Sequence, residues 1–212
     1  MSELQGRHVV ITGAGGALGS AVVEAFRGAG AVLHTPRHGE MDATDESQVA
    51  GTYARLPGLW ASVHLAGGFR MAPIGDTALV DFRGQFDLNT VSCFLCCREA
   101  VKAMRRSGQG GRIVNVSARA GVVAVGGMIA YTTAKAAVAS LTQCLAEEVK
   151  GEGILVNTVV PSIIDTPANR KAMPDADPTA WASPAAIAAS ILQLCAPAQT
   201  ETGLLVPAYG RI

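Results

Sequence analysis

The chain has 212 residues, 49% of them apolar, enough for one substantial core and too few for two full-sized domains. Its 17 Lys and Arg balance 17 Asp and Glu and form no basic stripe, so neutralisation of nucleic-acid phosphates is not expected of it. The stretch from Met1 to Arg7 lacks the charged start and apolar core of a secretory signal, and no apolar run reaches the roughly 18 residues that cross a bilayer, so a cytoplasmic protein free of the membrane is expected.

Taken in chain order, Arg7 to Thr12 is a short β-branched run that stops at Gly13, and Leu18 to Gly28 then carries apolar residues at helical spacing. Ala31 to Thr35 reads as a second strand, after which Pro36 to Asp42 leaves no room for a full returning helix, so this crossover is abbreviated. Trp60 to Ala66 reads as a buried strand ending at Gly67-Gly68, followed by a loop and a long helix from about Leu79 to Arg105. Gly111 to Ser117 is again a strand. Ile129 to Glu148 is a helix rich in alanine, and it leads through Gly151-Glu152-Gly153 into a strand from Ile154 to Val160. Pro167 to Ala182 carries little periodicity and reads as a surface segment. Ser183-Pro184 caps a final helix, Ala185 to Cys195, and Gly203 to Pro207 supplies a last strand. Strands alternating with helices imply an α/β protein: a single-domain Rossmann fold over residues 1–212, with a doubly wound parallel sheet and helices on both faces.

The five cysteines are an odd number. Cys93, Cys96 and Cys97 crowd one apolar stretch without a second ligand pair at zinc spacing, so packing residues are expected there rather than a redox pair, and no metal is expected.

Thr12-Gly13-Ala14-Gly15-Gly16-Ala17-Leu18-Gly19 lies where the first strand meets the first helix. Glycines there let the backbone turn tightly and approach a pyrophosphate, while free amides at the helix start attract its charge. An acid at the end of the second strand would hold the ribose hydroxyls of NAD and repel the extra phosphate of NADP. That end reads His34-Thr35-Pro36-Arg37-His38, so NADP is favoured over NAD, with Arg37 on the phosphate. Tyr131 and Lys135 are four apart on a helix, which puts both on one face; a lysine ammonium beside a phenol lowers the phenol's pKa and fits it for proton transfer.

The glycine turn, Tyr131-x-x-x-Lys135 and their order resemble the short-chain dehydrogenase/reductase family over nearly the whole chain. Ala17 stands where the family's turn has a second glycine, and His64-Leu65-Ala66-Gly67 stands for its Asn-Asn-Ala-Gly strand end. The resemblance implies a cofactor site of Thr12, Gly13, Gly15, Gly16, Ala17, Leu18, Gly19, Arg37, Asp42 at the adenine, Ala66, Gly67, Tyr131, Lys135, Pro161, Ile164, and Thr166 at the carboxamide. A helix cap is the other reading of Asp42. It also implies a catalytic role for Tyr131 and Lys135, with Asn89 keeping a helix bent around a proton-relay water; a satisfied polar kink without catalytic duty is the other reading of Asn89.

One departure stands out. The family's substrate-holding serine falls on Ala118, with Ser117 one place early, and alternation along a strand turns Ser117 to the opposite side unless the strand has already ended. Losing such a donor costs about 10²–10³ in rate for an oxyanion-like transition state. Either Ser117 or Thr132 substitutes, or the substrate needs no second donor. Dihydropteridine reductases also carry alanine there, and Gly16 to Ser20, Gly127 to Ile129, Asp165-Thr166-Pro167, Met173-Pro174 and Trp181 are similar to that branch. The resemblance implies a substrate lid at about 166–182 and substrate contacts from Ala118, Met128, Ser162 and Trp181, with Trp181 packing the lid down as the other reading.

The expected activity is hydride transfer between nicotinamide and a small carbonyl or quinonoid substrate. A generic ketone or aldehyde reductase, or alcohol dehydrogenase, is the alternative, and a non-catalytic nucleotide sensor or scaffold is the alternative from another class. The apolar helices around Val91 to Met104 and Ala134 to Leu145 lead to an expected homodimer or homotetramer.

Overall fold

Six short, mostly apolar runs become strands: β1 (His8–Thr12), β2 (Val32–His34), β3 (Leu59–His64), β4 (Gly111–Val116), β5 (Ile154–Pro161) and β6 (Leu205–Ala208). The structure is a computed structural model that describes residues 3–211; Met1 and Ser2 of the amino-terminal stretch read above, and Ile212, lie outside the described residues. All five ladders are parallel and the order is β2-β1-β3-β4-β5-β6, so the expected parallel sheet is present. The chain winds outward from β1 to β2 and then returns to β3 on the other side of β1. This reversal opens a crevice at the carboxyl ends of β1 and β3, where Thr12 is level with His64.

Both sheet faces are covered, which is why the strands read as largely apolar runs, with buried polar residues such as His64, Arg112 and Asn115 among them. Val9, Ile11, Val63 and Val114 pack with Val22 and Phe26 of α1 (Ala17–Gly28) and with Ile187 and Ile191 of α7 (Pro184–Leu194). Val10, Leu59, Ile113 and Val156 face α2 (Glu46–Ala54), α4 (Ser92–Ser107) and α5 (Ile129–Val149). Ser183 Oγ accepts from Ala186 N at 3.1 Å with Pro184 in the first turn of α7, the cap expected from the sequence.

Three elements differ from expectation. The abbreviated crossover contains α2, which has only Val49 and Tyr53 buried and so lacks a strong helical period. Its signal is the cap: Asp45 accepts from the amides of Ser47 and Gln48, and Gln48 Nε2 returns a bond to Asp45 Oδ2. Asp45 is therefore the helix cap. Asp42 instead closes a turn by accepting from the Thr44 amide and hydroxyl. The helix expected over Leu79 to Arg105 is α3 (Leu79–Phe86) and α4 joined by a π-helical turn, Asp87–Val91. The segment 167–182 is not wholly irregular, since it holds α6 (Pro167–Ala172) and a 3-10 turn, Pro178–Ala180.

On β3, two guanidinium groups lie over the Trp60 ring, Arg7 at 3.7 Å and Arg112 at 4.8 Å from its centroid, and the indole donates to the Cys195 carbonyl. Arg112 is buried and donates to the carbonyls of Gly111, Ala196, Pro197 and Gln199, gathering the chain that leaves α7.

Candidate active site

The glycine turn is built by close approach. Gly13 has φ of 70°, and a Cβ there would lie 2.7 Å from both Ala66 N and Leu65 C. A Cβ on Gly19 would lie 2.4 Å from the Gly13 carbonyl oxygen, so these two glycines let α1 start tight against β1 and the end of β3. Gly15 differs, with nothing within 4 Å of such an atom, and it is exposed beside Gly16 and Ala17. The amides of Ala17, Leu18 and Gly19 open α1 without intrahelical acceptors, so the turn presents donors and a positive helix end to an anion. Thr12 is buried, and its hydroxyl accepts from Ala66 N at 3.4 Å, tying the ends of β1 and β3 together.

At the end of β2 the chain turns through Arg37, whose carbonyl accepts from Glu40 N and Met41 N, while Arg37 N donates to the Glu40 carboxylate. The Arg37 side chain is exposed, and among the described residues its guanidinium has no ion-pair partner.

The polar centre lies at the carboxyl end of the sheet between β3, β4, the π turn and α5. Lys135 is buried and donates from Nζ to the Val116 carbonyl at 2.9 Å; its Nζ lies 6.0 Å from the Tyr131 ring centroid, so the two share the α5 face expected from their spacing. Burial lowers the Lys135 ammonium to about 8 and raises the Tyr131 phenol to about 12. The phenol is thus a proton holder, and the lysine is the group that titrates near neutrality. Phe69 meets the Tyr131 ring edge-on at 4.9 Å and is itself 59% exposed, forming one wall of the mouth.

Asn89 sits in the π turn, where Ser92 N reaches back five residues to the Asp87 carbonyl. Its Nδ2 donates to the carbonyls of Gln85 and Gly68, each at 3.0 Å, and its Oδ1 accepts from Gly68 N at 3.2 Å. This clamp holds the glycine strand end beside Lys135. A Cβ on Gly67 would lie 2.7 Å from Asn89 Oδ1 and 3.5 Å from Lys135 Nζ, so asparagine, lysine and strand end converge on one point.

The serine question has a geometric answer. Ser117 is buried and its hydroxyl donates to the Lys135 carbonyl at 2.7 Å, so it fastens β4 to α5 and has no free proton for a substrate. Ala118 follows with extended backbone and offers a methyl group. Thr132 Oγ1 is buried, with no hydrogen-bond partner among the described residues.

Of the other sequence-marked residues, Pro161 ends β5, Ser162 Oγ donates to the Tyr209 carbonyl, and Ile164 bridges to Ala182. Thr166 caps α6 by accepting from Asn169 N. Met128 precedes α5 and pairs with Ala72. Trp181 is 7% exposed, which leaves little of its ring for a substrate and favours the packing reading.

The sequence reading missed the surroundings of His64. It is buried on β3 with Nε2 2.8 Å from Ser62 Oγ and Nδ1 2.8 Å from Asn115 Oδ1, and the Tyr53 hydroxyl from α2 completes the group. Cys93 and Cys97 of α4 face it. The signal available was the pair of asparagines replaced at the β3 end, one of them by an imidazole.

A family model described as short chain dehydrogenase matches residues 37–177, a span that begins after the glycine turn. The 2,5-dichloro-2,5-cyclohexadiene-1,4-diol dehydrogenase of Sphingobium indicum is 32% identical over 198 residues, covering 82% of this chain and 78% of that one. The D-threitol dehydrogenase of Mycolicibacterium smegmatis is 29% identical over 195 residues, covering 80% and 75%. Among solved structures, the ligand-free Thermoplasma acidophilum aldohexose dehydrogenase superposes with a TM-score of 0.89 at 24% identity, over 99% of this chain and 94% of that one. NADP-bound ElxO also gives 0.89, at 22% identity, over 97% and 98%. The chain belongs to the short-chain dehydrogenase family and is an NAD(P)-dependent oxidoreductase.

Proposed function

We propose that the chain transfers hydride between NADP(H) and a small ring substrate whose own conjugation spreads the charge developing at the reacting oxygen or nitrogen. In reduction, Tyr131 gives the proton. Lys135, held by Val116, supplies the positive charge that makes this possible, and Asn89 positions the strand end beside it. The nicotinamide, when bound, supplies or takes the hydride. Thr12 to Gly19 cradle the pyrophosphate, Asp42 meets the adenine, and Pro161, Ile164 and Thr166 border the nicotinamide. Arg37, unpaired at the end of β2, takes the additional phosphate of NADP.

The observation that carries the substrate class is the loss of the usual donor: Ala118 has none, the Ser117 hydroxyl is committed to the Lys135 carbonyl at 2.7 Å, and the Thr132 hydroxyl is shielded from solvent. A simple ketone concentrates charge on one oxygen and suffers from that loss, whereas a quinonoid ring distributes it. The relative that acts on a cyclohexadienediol, as its name states, fits this class of unsaturated six-membered ring. Residues 166–182 form the lid over the substrate, with Met128 and Ala118 below it.

The test is oxidation of NADPH and NADH by the purified protein with a quinonoid dihydropteridine, small quinones and simple ketones. Turnover of the ring substrates with ketones silent supports the reading. Ketone turnover at comparable kcat/KM refutes it and returns the protein to the ordinary carbonyl reductases and alcohol dehydrogenases. Cofactor binding with no turnover would mean a sensor.

The exposed apolar side chains of Leu79 and Val80 on α3, Val91 at the end of the π turn and Phe94 on α4 support self-association. Light scattering should give a dimer or tetramer that Phe94→Asp weakens; a monomeric wild-type protein excludes it.

A further inference from the structure

His64, Cys93 and Cys97 are all buried, and their ligand atoms lie within 4.8 Å of one another. Cys97 Sγ is 3.6 Å from His64 Nδ1. Zinc–sulfur and zinc–nitrogen bonds of about 2.3 and 2.05 Å at a tetrahedral angle place sulfur and nitrogen about 3.5 Å apart, so this pair is already at ligand separation. Cys93 and Cys97 are four apart on α4 and share one face. A fourth donor is present: Asn115 Nδ2 is committed to Thr142 Oγ1 at 2.9 Å, which aims Oδ1 into the cluster, 3.4 Å from Cys97 Sγ and 2.8 Å from His64 Nδ1. The outer partners are in place too, since Ser62 Oγ stands 2.8 Å from His64 Nε2 and is bonded in turn to Tyr53.

We infer that His64 Nδ1, Cys93 Sγ, Cys97 Sγ and Asn115 Oδ1 form a buried tetrahedral site for a thiophilic divalent cation of the zinc type, distinct from the hydride-transfer centre. Binding replaces the two thiol protons, which leave to solvent, and two thiolates neutralise the ion so that no net charge is buried; no oxidant or reductant is involved. The imidazole hydrogen moves to Nε2 and is donated to Ser62. The Asn115 and His64 atoms separate by several tenths of an ångström to admit the ion. The sequence hides this set because the histidine comes from a strand and the cysteines from a helix far along the chain, with none of the spacing of a zinc ribbon or finger. Its role is structural: it would fasten α4 to β3 and β4 directly behind Lys135.

Burial of every ligand means that the ion enters during folding. The experiment therefore measures metal per chain in protein expressed with zinc and passed through a chelating column, and then refolds the chelator-stripped protein in Co²⁺ and records its absorption. Expected are one zinc per chain, thiolate-to-cobalt charge transfer with the visible bands of a tetrahedral site, and loss of both in Cys93→Ser and Cys97→Ser. Cys144→Ser, at an exposed thiol, keeps both. Folded wild-type protein with substoichiometric zinc and no cobalt bands overturns the proposal whatever the variants do. So do bands that survive the two substitutions together or vanish in Cys144→Ser.

Discussion

Replacing Gly13 by alanine places a methyl group in a backbone conformation with φ of 70° and 2.7 Å from the Ala66 nitrogen and the Leu65 carbonyl carbon. The left-handed conformation costs an L-residue about 1–2 kcal/mol. The overlap is with main chain on both sides, so relief requires the end of β3 to move, at a cost of overpacking of about 1–3 kcal/mol. The expected loss is roughly 2–5 kcal/mol out of a typical total of about 5–15 kcal/mol. The comparison is Gly15→Ala, two residues on, where nothing lies within 4 Å and φ is not positive. That variant should unfold within about 0.5 kcal/mol of wild type. On the proposed cofactor site its methyl group would instead meet the pyrophosphate, and NADPH should then bind tenfold or more weakly, on the order of 1.4 kcal/mol. Urea unfolding followed by circular dichroism reads the first quantity and NADPH fluorescence titration the second. A Gly13→Ala protein as stable as wild type, or a Gly15→Ala protein that loses stability while keeping its NADPH affinity, would refute the assignment of the two glycines to fold and ligand.

Arg37→Glu should raise the KM for NADPH at least tenfold, as expected for loss of a charge-assisted contact of about 1.5–3 kcal/mol, and leave that for NADH within about twofold; equal effects on both would remove Arg37 from the phosphate. Lys135 titrates at about 8 when folded against 10.5 normally, so between those values the unfolded chain holds more protons and stability rises with pH across that window. Lys135→Met should therefore be more stable than wild type at pH 7, by up to about 3 kcal/mol before the lost Val116 hydrogen bond is counted, with the difference closing by about pH 10. In reduction, kcat/KM should fall above about pH 8 as the ammonium facing Tyr131 and Cys93 is lost, and a flat profile to pH 10 would contradict this. Arg112→Lys cannot reach the carbonyls that the buried fork joins and should cost about 2–4 kcal/mol in urea unfolding; a change below about 0.5 kcal/mol would make that cluster incidental.

The sheet was legible because its strands are covered on both faces, which leaves apolar runs bounded by glycine and proline. The Tyr131 and Lys135 pair was legible because helical spacing puts both on one face and because the pair follows the glycine turn and a strand in the order of the family it resembles. β4 ends at Val116, one residue before Ser117, so alternation along the strand does not itself place that side chain; its bond to the Lys135 carbonyl does. Less was readable where tertiary contacts decide. Helix α2 is fixed by one cap and two buried side chains, too few to make a period. A bend at Asn89 was implied by the family resemblance, but its widened π form was not, because that form depends on bonds to Gly68 and Gln85 that belong to the folded chain. The partners of His64 come from four elements, and no local pattern records them.

The π turn also sets the rotational phase of everything after it. An α-helix advances about 100° per residue, so one additional residue turns all of α4 by that angle relative to α3. The turn that carries Asn89 towards Gly68 is therefore what directs Cys93 and Cys97 at β3. Deleting a single residue between Asp87 and Val91 would restore a straight helix and swing both thiols away from His64 while leaving their sequence spacing untouched. The two halves of this helix are geared to one another, and neither the clamp on the strand end nor the sulfur cluster can be re-engineered alone.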